Sequence, residues 1–406
     1  MIGPGTLEEL LGASPYNVVR LILPGLSLDA HSAGAVAATR LGSWLASGVL
    51  SVDDSPALYV YEQSGPGFTQ RGLIGLVGVG APDSAGILPH EGVMPGPVTG
   101  RRELMMATRA NLEPIFLVYN GSSGGGVAGG GAGGHGGPAG PTSRLVDSVA
   151  DEQPPLVSAV TGDGITHRLW RLADPAAHAA IAADLAGRTA LIADGHHRYA
   201  AYRELRDLMR GSGHGSGPWD YGLAFLVDAD EYPPRLGAIH RVIPHVVLEE
   251  AARLAGEAFT VSDVSADGVS LAMERLAEAG LRGTAFLLAG DSGLRLLTAP
   301  DPEQLAAAMP PGASPRWRAL DASVMQELLL ARLWSIKDNE RDVLISHDAG
   351  EAVRMAVEDG GTAVICNPVP FAAVKEVAAQ GECVPRKSTS FGPKPRTGLV
   401  LRTFEP

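Results

Sequence analysis

Short apolar runs broken by glycine and proline alternate along this chain with stretches of helical spacing. Leu58-Tyr59-Val60-Tyr61, Leu73 to Val79, Ile115-Phe116-Leu117-Val118-Tyr119, Thr189 to Ala193 and Gly222 to Asp228 read as strands bounded by turn residues. His167 to Leu172 alternates like a half-buried strand, and Ser14 to Val19 followed by Leu21-Ile22-Leu23-Pro24 reads as a turn leading into a strand that stops at a proline. Helices are expected over Ala30 to Ser47, from Arg101 onward and over Pro175 to Leu185. From Leu248 the character changes. Helical patterns (Leu248 to Ala258, Val269 to Ala279, Ala322 to Trp334) alternate with short strands (Ala285 to Leu288, Leu294 to Leu297, Ala363 to Asn367), and Gly398 to Leu401 closes as a strand. The fold class is α/β passing into α+β.

Twelve of the 21 residues from Gly121 to Pro141 are glycine. Such a stretch buries too little surface to offset its ordering entropy, so it reads as a flexible insertion, and His135 within it receives no role. The expected organisation is an N-terminal α/β part of a core (1–120), a disordered insertion (121–145), a phosphate-binding core (146–247) and a C-terminal α+β domain (248–406) whose basic loop returns to the site.

The centre of that organisation is Asp194-Gly195-His196-His197-Arg198-Tyr199, where the run from Thr189 gives way to helical spacing. Ala201, Leu205 and Leu208 mark one face, with Tyr202 and Met209 beside it, and Arg206 outside it. Glycine permits a close backbone approach or a positive φ. The first helical N–H groups lack intrahelical partners, and Arg198 offers a planar fork of donors. A strand–turn–helix corner of this composition is suited to an anion, above all a phosphate.

The chain has 406 residues, 45% of them hydrophobic, and a net charge of −13, which argues against bulk nucleic-acid binding. Cys366 and Cys383 form no CxxC pair, fitting a reducing, cytoplasmic setting. Neither a secretory signal nor an apolar run of membrane-spanning length is recognised, and GxxxxGK[ST] and GxGxxG-plus-acid patterns are lacking. Two further places carry chemistry. His90-Glu91 follows an apolar stretch and could serve as acid, base or metal ligand. Pro385-Arg386-Lys387-Ser388-Thr389-Ser390-Phe391-Gly392-Pro393-Lys394 gathers basic side chains and hydroxyls, a composition that suits an anionic ligand. His240-Arg241 reads as a sheet-end ion pair.

Taken in order, His90-Glu91, Arg109-Ala110-Asn111, Ala193 to Tyr199, His240-Arg241 and Pro385 to Lys394 resemble the prokaryotic family of domain of unknown function 1015 over nearly the whole chain. Asn17 stands where the early Pro-Tyr-Asp-Val of that family has its acid, and Ser390 and Gly392 replace its usual aromatics. More distantly, Asp194 to Tyr202 is similar to the phosphate-binding turn of the ParB/sulfiredoxin fold, shared with free-serine kinases. That resemblance implies that Gly195, His197 and Arg198 hold nucleotide phosphates. His196 occupies the place of the sulfiredoxin cysteine, so sulfinic-acid reduction is not expected.

The leading expectation is an ATP-dependent kinase or phosphotransferase acting on a small, serine-like hydroxyl metabolite. Asp194 or Glu91 would hold Mg2+, and Glu91 or His90, with Asp194 and His196, would serve catalysis. Lys387, Ser388, Thr389 and Lys394 would close over the nucleotide. The alternatives are a metal-dependent phosphatase or nuclease using Asp194, His196, His197 and His90, and a non-catalytic nucleotide-binding switch. The expected partner is a small molecule, with no membrane contact; the oligomeric state stays open.

Overall fold

The computed structural model describes residues 4–25, 29–80, 86–121, 139–264, 269–339 and 341–405. The glycine-rich segment, with His135, falls almost wholly outside the described residues. Contacts divide the chain into two units. Unit 1 is Met1–Pro234 with Pro393–Pro406, and unit 2 is Arg235–Gly392.

Unit 1 opens with three helices, α1 (Pro4–Ala13), α2 (Val19–Ile22) and α3 (Ala30–Ala46). Leu21-Ile22, expected in a strand, is helical instead. Asn17 Oδ1 accepts the Val19 N–H at 3.0 Å and caps the turn, while Leu21 is fully buried against Ala37, Leu41 and Trp44. A short apolar run cannot by itself distinguish one buried helical turn from a strand. The main sheet then forms from β1 (Leu58–Gly65), β2 (Phe68–Gly78) and β3 (Ile87–Leu88). After α4 (Pro95–Thr108) and β4 (Ala110–Asn111) come β5 (Ile115–Tyr119), α5 (Pro141–Glu152), β6 (Val157–Val160), β7 (Thr166–Leu172), α6 (Pro175–Leu185), β8 (Ala190–Asp194), α7 (His196–Gly211) and β9 (Tyr221–Asp228). The helix expected from Arg101 starts earlier, at Pro95, and residues 141–145, expected in the insertion, belong to α5. In both, proline at the first helical position gives up an N–H that has no partner there.

The eight strands run in the order β3-β8-β5-β9-β2-β1-β7-β6. Pairing is mixed: β3–β8 and β5–β9 are parallel and the rest antiparallel. Tyr199, Tyr202 and Leu205 of α7 pack with Ile115, Leu117 and Ile192, each buried aromatic or leucine contributing roughly 2 kcal/mol of apolar burial. The packed stripe of α7 differs from expectation. Leu208 is 44% exposed, whereas Arg206 is buried and donates to the carbonyls of Val79 and Gly80 at the end of β2. Gly222 lets β9 lie under the Tyr202 ring, which would stand 2.4 Å from a Cβ there.

Unit 2 contains β10 (Arg235–Gly237), β11 (His240–Ile243), α8 (Leu248–Ala255), β12 (Thr260–Val264), α9 (Val269–Gly280), β13 (Ala285–Gly290), β14 (Gly293–Thr298), β15 (Leu344–Ser346), β16 (Thr362–Cys366) and β17 (Ser390–Gly392), with further short helices between them. Six strands form an antiparallel sheet, β12-β14-β13-β16-β11-β15, and β10 pairs with β17. The helix expected over Ala322 to Trp334 is α-helical only over Asp321–Val324 and widens to π-helical turns over Met325–Leu333. The mixed sheet followed by the antiparallel one matches the expected passage from α/β to α+β. Gly398 to Leu401 forms no strand; instead β18 (Arg402–Thr403) pairs with β4 and closes unit 1.

Candidate functional site

β8 is buried through Ala193 and reaches the surface at Asp194. Gly195 follows at φ 100°, ψ 27°, a backbone state that strains any side chain. A Cβ there would also stand 3.0 Å from Ile115 Cγ2 and 3.3 Å from the Arg198 guanidinium. Glycine is thus needed for its φ and for its lack of volume.

Arg198 occupies the space beneath that turn. Its Nη2 donates to Asp194 Oδ2 at 2.6 Å and its Nη1 donates to the Pro114 carbonyl. Burial opposes its charge, but Glu113 and Asp194 outweigh that and raise its pKa. A guanidinium in the first turn of a helix is expected to face a phosphate. The side chain is instead 17% exposed and spent on protein oxygens, because Pro114, far off in sequence, ends up directly below it. Arg198 braces the turn.

The two histidines that follow are also engaged. His196 Nε2 accepts the His90 N–H at 3.3 Å, and His197 Nε2 accepts the Met94 N–H at 3.1 Å. In the neutral imidazole this arrangement leaves the ring proton on Nδ1. Together they bind the loop between β3 and α4 to the first turn of α7. The His90 and His196 rings meet edge to face at 4.5 Å between centroids. Burial pushes the His90 pKa down to about 4, and burial with the neighbouring His90 pushes His196 well below the usual histidine value. Glu91 Oε2 lies 3.7 Å from His196 Nδ1, the nitrogen left to carry the proton.

Three charged groups face outward at this corner. Asp194 and Glu91 are partly exposed, and Lys394 is 61% exposed with Nζ 2.7 Å from Asp194 Oδ1. Burial works against ionisation of Asp194, but Arg198 and Lys394 overcome it and lower its pKa. Lys394 is delivered by its neighbours. Gln63 Nε2 donates to the Pro393 carbonyl at 3.1 Å, and Tyr61 Oη accepts the Arg396 N–H at 3.1 Å. An ammonium, an ionised carboxylate and a helix N-terminus thus share one exposed corner, a combination able to engage a phosphorylated ligand.

Of the residues singled out in sequence, unit 1 therefore brings together His90, Glu91, Asp194 to Arg198 and Lys394. Lys387, Ser388 and Thr389 belong to unit 2. Ser388 and Thr389 are buried there, and Ser388 Oγ donates to the Pro385 carbonyl at 2.6 Å, so the Ser388 hydroxyl serves the loop itself. That loop folds around Arg241, which is fully buried and donates to the carbonyls of Arg386 and Lys387 and to Asp338. Of His240-Arg241, Arg241 is ion-paired, with Asp338, while His240 accepts the Cys366 N–H. Met94, Pro114, Gln63 and Tyr61 were not anticipated, because each acts at long range and two of them act through backbone atoms alone.

The family model described as "Protein of unknown function (DUF1015)" matches residues 1–128 and 135–323. The chain belongs to that family. Comparison with curated proteins gave no match. Among solved structures, this DUF1015 protein is similar to a free serine kinase mutant in complex with AMP (12% identity, TM-score 0.39) and to one in complex with ADP (13%, TM-score 0.38), each covering 79% of this chain and 87% of the other. It is also similar to SbnI with a C-terminal truncation from Staphylococcus aureus (11%, TM-score 0.37), over 79% of this chain and 82% of that one. No helix of the DUF1015 chain, among the described residues, is long and apolar enough to cross a membrane.

Proposed function

We propose that this chain is an ATP-dependent phosphotransferase acting on a small, serine-like hydroxyl metabolite in the cytoplasm, with unit 1 as a ParB/sulfiredoxin-like nucleotide-binding core. One observation carries the reading: Lys394 and ionised Asp194 meet at the N-terminus of α7, directly after a turn that requires glycine. Phosphoryl transfer is catalysed chiefly by positioning and charge neutralisation, and these groups supply both. Lys394 and the first N–H groups of α7 take the phosphate role that sequence resemblance assigned to Arg198 and His197. Glu91 is the candidate base for the acceptor hydroxyl, oriented by its approach to His196 Nδ1. Asp194 and Glu91 are hard oxygen donors that fit Mg2+, which would neutralise charge on the phosphates.

The phosphatase or nuclease alternative requires histidine nitrogens as metal ligands. The Nε2 atoms of His196 and His197 accept backbone N–H groups instead, which leaves that alternative without two of its donors.

The first test is thermal unfolding with and without millimolar Mg-ATP, followed by phosphate transfer from ATP to a panel of hydroxyl amino acids and sugars. A rise in midpoint with ATP and phosphorylation of one acceptor are expected. An unchanged midpoint would refute nucleotide binding. A shift without turnover on any acceptor would instead identify a nucleotide-binding switch.

A further inference from the structure

Unit 2 contains a cleft of about 420 Å³ at one end of its six-stranded sheet. One wall is the turn Ile243-Pro244-His245-Val246 between β11 and α8. The other is the chain leaving the π-helical turns, from Ser335 to Lys337 and again at Arg341-Asp342. Both walls are fixed. Thr362 Oγ1 donates to the Val246 carbonyl at 2.6 Å, and the Ile336 N–H donates to the Leu330 carbonyl at 2.8 Å. Asn339 Oδ1 accepts the N–H groups of Arg341 and Asp342 at 2.9 and 3.0 Å.

The lining has two characters. Pro244, Val246 and Ile336 give an apolar surface, while His245, Lys337 and Arg341 are exposed at the cleft. Nearby Arg241 and Arg386 are consumed by Asp338, but Lys337 and Arg341 make no ion pair with any described residue. Among the described residues the one acid of the lining, Asp342, already accepts from Asn339 Nδ2 at 2.7 Å. In a protein of net charge −13, a cationic and partly apolar cleft of this size has the form of a small-molecule site. We propose that it binds a small organic anion, its carboxylate or phosphate held by Lys337 and Arg341 and its apolar body laid on Pro244, Val246 and Ile336. The assignment is independent of the phosphotransferase reading, since every lining residue belongs to unit 2.

Isothermal titration of the full chain with phenyl phosphate, 3-phenylpropionate, inorganic phosphate and uncharged benzyl alcohol tests it. One or both organic anions should bind once per chain, at least tenfold more tightly than benzyl alcohol or inorganic phosphate. The stronger of the two decides between phosphate and carboxylate. Lys337→Gln with Arg341→Gln should weaken binding at least tenfold while circular dichroism and the melting midpoint hold. Ile336→Trp, which fills the cleft and keeps both cations, should block it. Lys394→Ala should leave it unchanged. Equal affinity in wild type and both cleft variants, no heat from either organic anion at millimolar concentration, or loss in the Lys394 variant alone would each overturn the proposal.

Discussion

Lys394 Nζ sits 2.7 Å from Asp194 Oδ1, joining the last stretch of unit 1 to the turn at the end of β8. The lysine is mostly exposed, so the pair stabilises the fold little, about 1 kcal/mol at most. Lys394→Ala should therefore leave the melting midpoint almost unchanged and weaken ATP binding at least tenfold by titration. A variant that keeps full affinity would remove Lys394 from the site.

Arg198 behaves in the opposite way. Arg198→Ala leaves Asp194 half-paired, the Pro114 carbonyl without its donor and a void beneath Gly195. A loss of about 2–4 kcal/mol by urea denaturation is expected. Arg198→Lys should recover less than half, because an ammonium cannot span both acceptors. A surface role, as its position at a helix start suggested, would predict near-zero loss.

Gly195→Ala combines an unfavourable φ with contacts at 3.0 and 3.3 Å. About 1–3 kcal/mol of stability should be lost, measured by the same denaturation. Since the strain lies at the proposed phosphate corner, ATP affinity should fall with it.

His240 supplies part of the pH dependence, alongside buried His90 and His196. Its Nδ1 accepts the Cys366 N–H at 3.2 Å. Burial, with His347 and Arg241 nearby, outweighs the attraction of Asp348 and pushes its pKa down from 6.5 to about 4. The folded state therefore resists a proton that the unfolded chain accepts. The stabilisation is complete above about pH 6.5, falls as the pH drops from there toward 4, and amounts to roughly 3 kcal/mol in all. His240→Gln keeps an acceptor without titrating. It should show a smaller difference in unfolding free energy between about pH 7 and about pH 4.5 than wild type. Equal differences in the two proteins would refute the role.

The two sides of the glycine-rich segment adjoin: a Cβ on Gly140 would stand 2.8 Å from the Gly121 carbonyl oxygen. Gly121 is itself fixed by its N–H donating to Asp228 Oδ1 at 2.9 Å. Replacing residues 122–138 with a two-residue linker should thus preserve the melting midpoint within a few degrees and leave ATP binding intact. A large loss of stability would mean that the deleted residues contribute packing.

The corner at Asp194 was readable because hydrophobic spacing switches from a continuous run to a helical period at Asp194-Gly195, and local pattern records local geometry. The return of Lys394 was suggested by composition alone. The work done by Arg198, His196 and His197 was not readable, since it depends on the Pro114 carbonyl, which any residue type could supply, and on the N–H groups of His90 and Met94, which any but proline could. Likewise the spacing of α7 offered Leu208 as a core position and Arg206 as a surface one. The carbonyls at the end of β2 reversed that choice by giving a long guanidinium buried partners.

The chain leaves unit 1 after Pro234 and re-enters it at Pro393. During synthesis, everything between must be made before the lysine that completes the corner emerges from the ribosome. A nascent product that stops before Pro393 therefore carries the β8 turn without its outer cation, so nucleotide affinity should be acquired only after the whole of unit 2 has been made.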